Sequence, residues 1–128
     1  MTVLQNAPVV PMLPAVDLNR AKKFYEEKLG LMSADMSAPP GTAFYKAGGG
    51  TMLGLYEREA TKADHTVACF EATNIEETIA DMKSKGVVFE EYNDPGFTTV
   101  NSMVVMDGNK CAWFKDTEGN ILGLNEKA

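Results

Sequence analysis

Few residues in this chain can do chemistry. His65 is the single histidine, and Cys69 and Cys111 are the two cysteines. An imidazole titrates near neutrality, so His65 qualifies as a general base or a polar anchor in a pocket. The plainer reading makes it a strand-start residue beside a linker, half exposed. No paired carboxylate is visible for it, and one histidine cannot supply a three- or four-ligand metal site. Cys69 and Cys111 lack the short spacing of a metal-binding pair and read as reduced, buried thiols of a cytosolic protein rather than a disulfide. There is no Ser-His-Asp arrangement, no phosphate-cradling glycine motif and no Cys-His pair at a workable spacing. Gly48-Gly49-Gly50 reads as a hairpin turn rather than a nucleotide loop.

A second pattern is a repeat. Leu53-Gly54-Leu55-Tyr56-Glu57 has a twin in Leu122-Gly123-Leu124-Asn125-Glu126. Each ends an apolar, strand-like run, and each follows a glycine-containing turn. Glycine inside a strand costs roughly 0.5–1 kcal/mol against alanine and packs nothing. It makes sense where something approaches the backbone closely. Twin glycines in one frame predict a duplicated module with a cavity facing both.

The elements that must position these residues repeat in the same order. In the first half, Val9 to Leu13 is an apolar run between prolines, and Asp17 is an N-cap. Leu18, Ala21, Phe24, Tyr25 and Leu29 give a helix over about 18–29 that closes at Gly30. Strands follow at Leu31 to Met36, Thr42 to Ala47 and Thr51 to Tyr56. The charged stretch Glu57 to Asp64 is a linker. In the second half, His65 to Glu71 is a strand. Asn74 with Glu77 starts a helix whose stripe is Ile75, Ile79 and Met82, and Gly86 ends it. Val87 to Tyr92 reads as a strand, and Asp107-Gly108-Asn109 as a hairpin turn between Met103–Met106 and Lys110–Lys115. Asn120 to Asn125 closes the chain's last strand. An extra hairpin arm falls around Thr98 to Met106.

The chain's 128 residues, 45% hydrophobic and 23% charged, fit one domain over 1–128, with module one at about 7–58 and module two at about 64–126. No apolar run approaches the roughly 20 residues that span a bilayer, and no basic-then-apolar start marks a signal peptide. The net charge of −6 and the lack of a basic cluster argue against nucleic acid and anionic membrane as partners. A cytoplasmic location is expected.

Three segments together carry a resemblance. They are Met12-Leu13-Pro14-Ala15-Val16-Asp17-Leu18 with Phe24-Tyr25 and Leu29-Gly30; Phe70-Glu71-Ala72-Thr73-Asn74-Ile75 through Gly86; and Trp113-Phe114-Lys115-Asp116-Thr117-Glu118-Gly119-Asn120-Ile121. In this order they resemble the vicinal oxygen chelate superfamily, which holds glyoxalase I, bleomycin-resistance proteins and extradiol dioxygenases. The resemblance implies an α+β fold of two βαβββ modules whose mixed sheets form a cup around a ligand, and commonly a homodimer. Apolar edge strands agree with a dimer.

Metal-using members of that superfamily hold one divalent ion with four side chains from four cup strands. The matching positions here are Val10, Gly54, Val67 and Gly123, none of which offers an oxygen or nitrogen donor. A one-residue slip does not help, because strand side chains alternate faces. Glu57 and Glu126 therefore fall on the outer face. The expectation is no metal and no cofactor. By the same alternation Met12, Met52, Tyr56, His65, Cys69, Ile121 and Asn125 join the cup lining, and Trp113 belongs either to it or to the core. Such a lining, apolar with a few polar tips, suits a small molecule. The implied function is binding or sequestration of the bleomycin-resistance type. The alternative is a glyoxalase-like lyase or dioxygenase-type enzyme, metal-dependent or using His65.

Overall fold

The computed structural model describes residues 4–34 and 38–128. Strand β1 (Met12–Ala15) leads into helix α1 (Leu18–Lys23), which Asp17 caps by accepting from the Arg20 amide. The helix continues as a wider π turn over Phe24–Lys28, closed by Leu29 N–H donating to the Phe24 carbonyl. Gly30 then takes a left-handed φ of 71°, the conformation that ends a helix cheaply only at glycine. Strands β2 (Met32–Ser33), β3 (Thr42–Lys46) and β4 (Met52–Glu57) complete the first half. Part of the strand expected over Leu31 to Met36, namely Asp35 and Met36, lies outside the described residues.

The second half runs β5 (Thr66–Glu71), α2 (Ile75–Ser84), β6 (Asn93–Asp94), β7 (Phe97–Thr98), β8 (Val104–Met106), β9 (Asn109–Lys115) and β10 (Ile121–Glu126). The two large sheets have equivalent orders, β1-β4-β3-β2 and β5-β10-β9-β8. The twin glycine strands β4 and β10 are each central, with a parallel neighbour on one side and an antiparallel one on the other. The repeat read from the Leu-Gly-Leu pair is thus a repeat of architecture.

One expected strand does not form. Val87 and Phe89 are buried and Val88 is exposed, so the segment 87–92 has the alternation of a strand, but its ladder is a single bridge, Phe89 to Phe114. The free edge of β9 is shared. Strand β8 takes it at Asn109–Cys111, which leaves the segment only the Phe114 end, where Glu90 N–H donates to the Trp113 carbonyl. Strands β6 and β7 form a small hairpin that turns at Pro95 and Gly96.

Both halves share one core. Leu13, Leu53, Leu55 and Tyr45 come from the first sheet, and Phe114, Leu122 and Leu124 from the second. The helices add Tyr25, Ile75, Ile79 and Met82. Phe24 reaches Phe114 at a centroid distance of 6.4 Å, and Tyr25 stacks on Tyr45 at 6.1 Å.

The β9–β10 turn of module two locks onto module one. Tyr25 Oη donates to Asp116 Oδ2 at 2.6 Å, and Asn120 Nδ2 donates to the same oxygen and to the Pro14 carbonyl. Burial, reinforced by the Asp116 carboxylate, pushes the Tyr25 hydroxyl far above its ordinary range. Glu118 Oε1 accepts from the Val16 and Asp17 amides at the start of α1, and Arg20 grips both carboxylate oxygens.

The Glu118 side chain is 1% exposed. Burial alone would raise its pKa. Arg20, the Asp17 amide and the Thr117 hydroxyl outweigh it and hold the group at about 2. A carboxylate depressed in the folded state stabilises fully above its unfolded pKa, here near 4.5, and loses that contribution as pH falls toward 2. Arg20 is half exposed, so the contribution is discounted to about 2 kcal/mol. Urea midpoints should therefore fall between pH 4.5 and 2, and Glu118→Gln should flatten that slope.

Candidate functional site

Two glycine-bearing sheet faces are the candidate site. On the first sheet, Gly54 pairs with Met12 of β1 and Phe44 of β3, so all three share one face. Met52 and Tyr56, two residues either side of Gly54, join them. The other face of the sheet is the core. The Gly54 position is not open: the Met12 thioether lies where a Cβ would stand, and Phe44 Cε1 is 2.9 Å from that point. Met12 is 41% exposed, and its flexible side chain is a cover that can swing aside.

On the second sheet, Gly123 pairs with Cys69 and Trp113. This fixes the face of Trp113: it lies with Gly123, outside the core. A Cβ at Gly123 would sit 3.1 Å from Cys69 Sγ and 3.5 Å from both the Thr66 methyl and Trp113 Nε1. Those three groups close in around the bare backbone at Gly123. Ile121 and Asn125 flank it, and Asn125 Oδ1 accepts from Cys111 Sγ at 3.4 Å. Cys69 is exposed and Cys111 half-buried, which corrects the expectation of two buried thiols. They sit on an open sheet face, where no second layer covers them. Both sulfurs are turned toward neighbours, and this partial burial raises both thiols.

Two expected lining residues stand elsewhere. A bulge between Ile121 and Leu122 sets Thr66 opposite Ile121 and leaves Val67 out of the ladder, so Val67 packs against the core. One extra residue is enough to change the face that a strand position addresses. His65 precedes β5 altogether. Its side chain is 72% exposed, and its Nδ1 lies 2.9 Å from Asp64 Oδ1, a carboxylate partner that went unrecognised in the sequence. Val10 precedes β1 and is half-buried.

Thr66 and Phe44 are additions to the lining. Phe44 was open to detection by alternation along its strand, whereas the bulge that brings Thr66 in has no sequence mark. Tyr92 and Phe97 are further additions. Their rings lie 5.7 and 5.4 Å from Trp113, and they come from the β6–β7 hairpin region, where no strand periodicity could place them.

The four metal-ligand positions can now be tested. Gly54 is covered by thioether and phenyl carbon, Gly123 has no side chain, Val67 faces the core and Val10 is aliphatic. Among the described residues no three of His, Cys, Asp and Glu cluster as a metal-binding group. This donor set does not fit a hard divalent ion. A separate groove of about 310 Å³ lies on the helix side of the second sheet, lined by Leu29, Leu31, Phe70, Met82 and Leu124 and edged by Glu71 and Asp81. No helix is long and apolar enough to cross a membrane among the described residues.

Comparison with known proteins fits this geometry. No curated protein matches the sequence. Among solved structures, a lactoylglutathione lyase from Agrobacterium tumefaciens is similar at TM-score 0.67 and 22% identity, covering 94% of this chain and 92% of that one. TnmS3, an antibiotic binding protein from Streptomyces, is similar at TM-score 0.70 and 18% identity, covering 95% and 96%. A glyoxalase/bleomycin resistance protein/dioxygenase from Alicyclobacillus acidocaldarius is similar at 0.68 and 17%, covering 95% and 92%. At these identities the likeness is one of fold. The sequence model of the Glyoxalase/Bleomycin resistance protein/Dioxygenase superfamily matches residues 8–124, and the chain belongs to that superfamily.

Proposed function

We propose that this protein is a metal-independent member of its superfamily that binds and sequesters a small, partly apolar molecule between glycine-bearing sheet faces, in the cytoplasm. One observation carries the reading: the positions that supply metal donors in catalytic relatives hold two glycines and two valines, and the faces around them are built of Met, Phe, Tyr and Trp side chains. The likeness to an antibiotic binding protein supports it at the level of fold.

The reading includes a homodimer. Each sheet spends one face on the common core and turns its glycine face away from it. Among the described residues, five grooves of about 110 to 390 Å³ are each lined without joining the two faces. A second protomer, laying its first sheet against the partner's second, would close a cup that one chain leaves open. Light scattering at micromolar concentration should give twice the chain mass, and a monomer would count against the closed cup.

The enzymatic alternative rests on His65, which Asp64 can hold in one tautomer. Both side chains stand in solvent, where such a pair orients little, and the binding reading is preferred. Its test is metal dependence. Added zinc, nickel, manganese or iron(II), and separately a chelator, should leave the melting temperature unchanged, because a ligand stabilises only the state that binds it. One metal per chain by elemental analysis, with His65 among its ligands, would overturn the proposal.

A further inference from the structure

We infer that the helix side of the second sheet carries a further binding site, which takes a small amphiphilic cation: an apolar chain with an ammonium head. The site is separate from the glycine faces, and nothing in it depends on what they bind. Its apolar end is the groove of about 310 Å³. Phe70 pairs with Leu124, so it lies on the core side of the sheet, yet it is only half-buried. Its ring meets no other ring among the described residues. Leu29 and Leu31, either side of the left-handed turn at Gly30, are half-buried too, and Met82 of α2 lines the same groove. Apolar side chains of both modules thus face a space at the small end of the range for ligand pockets.

The groove runs into a second one, of about 390 Å³, along α2: Thr73, Thr78 and Asp81 line both. That end is acidic. Glu77 and Asp81 stand four residues apart on the helix, a spacing that destabilises it when both carry the same charge. Asp81 pairs with Lys85 at 3.2 Å, but both side chains are well exposed, and such surface pairs exchange cheaply. Glu77 makes no ion pair among the described residues. Its amide donates to Asn74 Oδ1, but its carboxylate does not return the bond that a full capping box would have. Glu71 edges the apolar end and is paired with Lys127 at 3.1 Å. Among the described residues no lysine, arginine or histidine lines either groove.

One ligand satisfies both ends. An apolar chain over Phe70 and Leu124 covers the half-bare side chains, and an ammonium at the α2 carboxylates relieves the repulsion between Glu77 and Asp81. A neutral head of equal size would gain the burial alone. An anionic head would add to the repulsion, and the chain's net charge of −6 opposes it further. The body of the ligand would lie between Leu29 and Leu31 of module one and Met82 of module two, so occupancy would also fasten the modules together.

Calorimetric titration compares three probes that share an octyl-length chain and differ in the head: octylammonium, octan-1-ol and octanoate. At low salt the ammonium should bind roughly tenfold more tightly than the alcohol, and the alcohol several-fold more tightly than the carboxylate. Raising the salt should shrink the first gap, because the head and both carboxylates are near solvent. Glu77→Gln combined with Asp81→Asn should bring the ammonium down to the alcohol and leave the alcohol unchanged. Ala72→Phe, just past β5, and Thr78→Phe, on α2, each fill the groove and should abolish binding of all three. Melting curves verify folding, and either folded variant suffices. Gly123→Leu should bind octylammonium as the parent does. Equal binding of the three heads, an ammonium preference that survives the double variant, binding that survives a folded blocking variant, or no binding of octylammonium by the parent would overturn the site. Loss of octylammonium binding in Gly123→Leu would move the probe to the glycine face, and so would overturn this site while leaving the small-molecule reading standing.

Discussion

Asp116→Ala should lower the folding free energy by about 3–5 kcal/mol, a large share of the 5–15 kcal/mol typical of a domain. Asp116 is buried, and its two oxygens accept from four donors: the Tyr25 hydroxyl, the Asn120 side-chain amide and the Glu118 and Asn120 backbone amides. Tyr25 and Asn120 are themselves buried, so truncation strands donors that water cannot reach. Leaving a buried donor unmade costs roughly 1–3 kcal/mol each. Asp116→Asn keeps the shape and the oxygen that faces the turn amides but turns an N–H2 toward the Asn120 amide, and should cost less than Asp116→Ala without being neutral. Urea unfolding checks both. An alanine variant within 1 kcal/mol of the parent would mean that the turn relaxes to expose these groups.

Gly123→Leu should abolish ligand binding, by roughly a hundredfold or more (about 3 kcal/mol), while the fold survives. Gly123 is absent from the positive-φ glycines, so its backbone accepts any side chain. The nearest obstacle to a Cβ is Cys69 Sγ at 3.1 Å, a contact that a small rotation relieves. The leucine then projects beside Trp113 and covers the face that a ligand would use. Gly54→Leu is the contrast. There a Cβ meets Phe44 at 2.9 Å and the overlying Met12, so the cost falls on packing and the melting temperature should drop. Titration with 8-anilinonaphthalene-1-sulfonate, a small and partly apolar probe, and thermal melting read the two effects. Parent-like binding by Gly123→Leu would make the glycine a purely structural feature of β10.

The fold was legible because its signals are local. Asp17 and Asn74 cap their helices through the amides three residues on, Gly30 sits just past a helix end, and Asp107-Gly108 turns a hairpin with both φ angles positive. The twin glycine strands were legible because alternation carries face information along any regular strand. Legibility stopped where regularity stopped. The bulge beside Val67 shifted one face without a sequence mark, and the segment 87–92 has strand alternation but lost its edge to β8. The Tyr25–Asp116 bond joins residues 91 positions apart, a distance over which periodicity says nothing. Tyr92 and Phe97 reach the candidate site from a hairpin too short to show a period.

The two helices are capped unequally, and this has a consequence for how the chain can be divided. Glu126 accepts from the Ile75 amide at the start of α2, within its own module, whereas the carboxylate at the start of α1 is Glu118, lent by the other module. A polypeptide severed in the exposed stretch 58–62 would thus yield halves of unequal autonomy. The carboxyl-terminal half carries its own cap. The amino-terminal half would lack the carboxylate on its helix and the acceptor for its buried tyrosine, and would regain both only by meeting its complement. Both halves would still lack the core they share, so order would return to either only at the re-formed junction, where the amino-terminal half regains its cap and its tyrosine's acceptor.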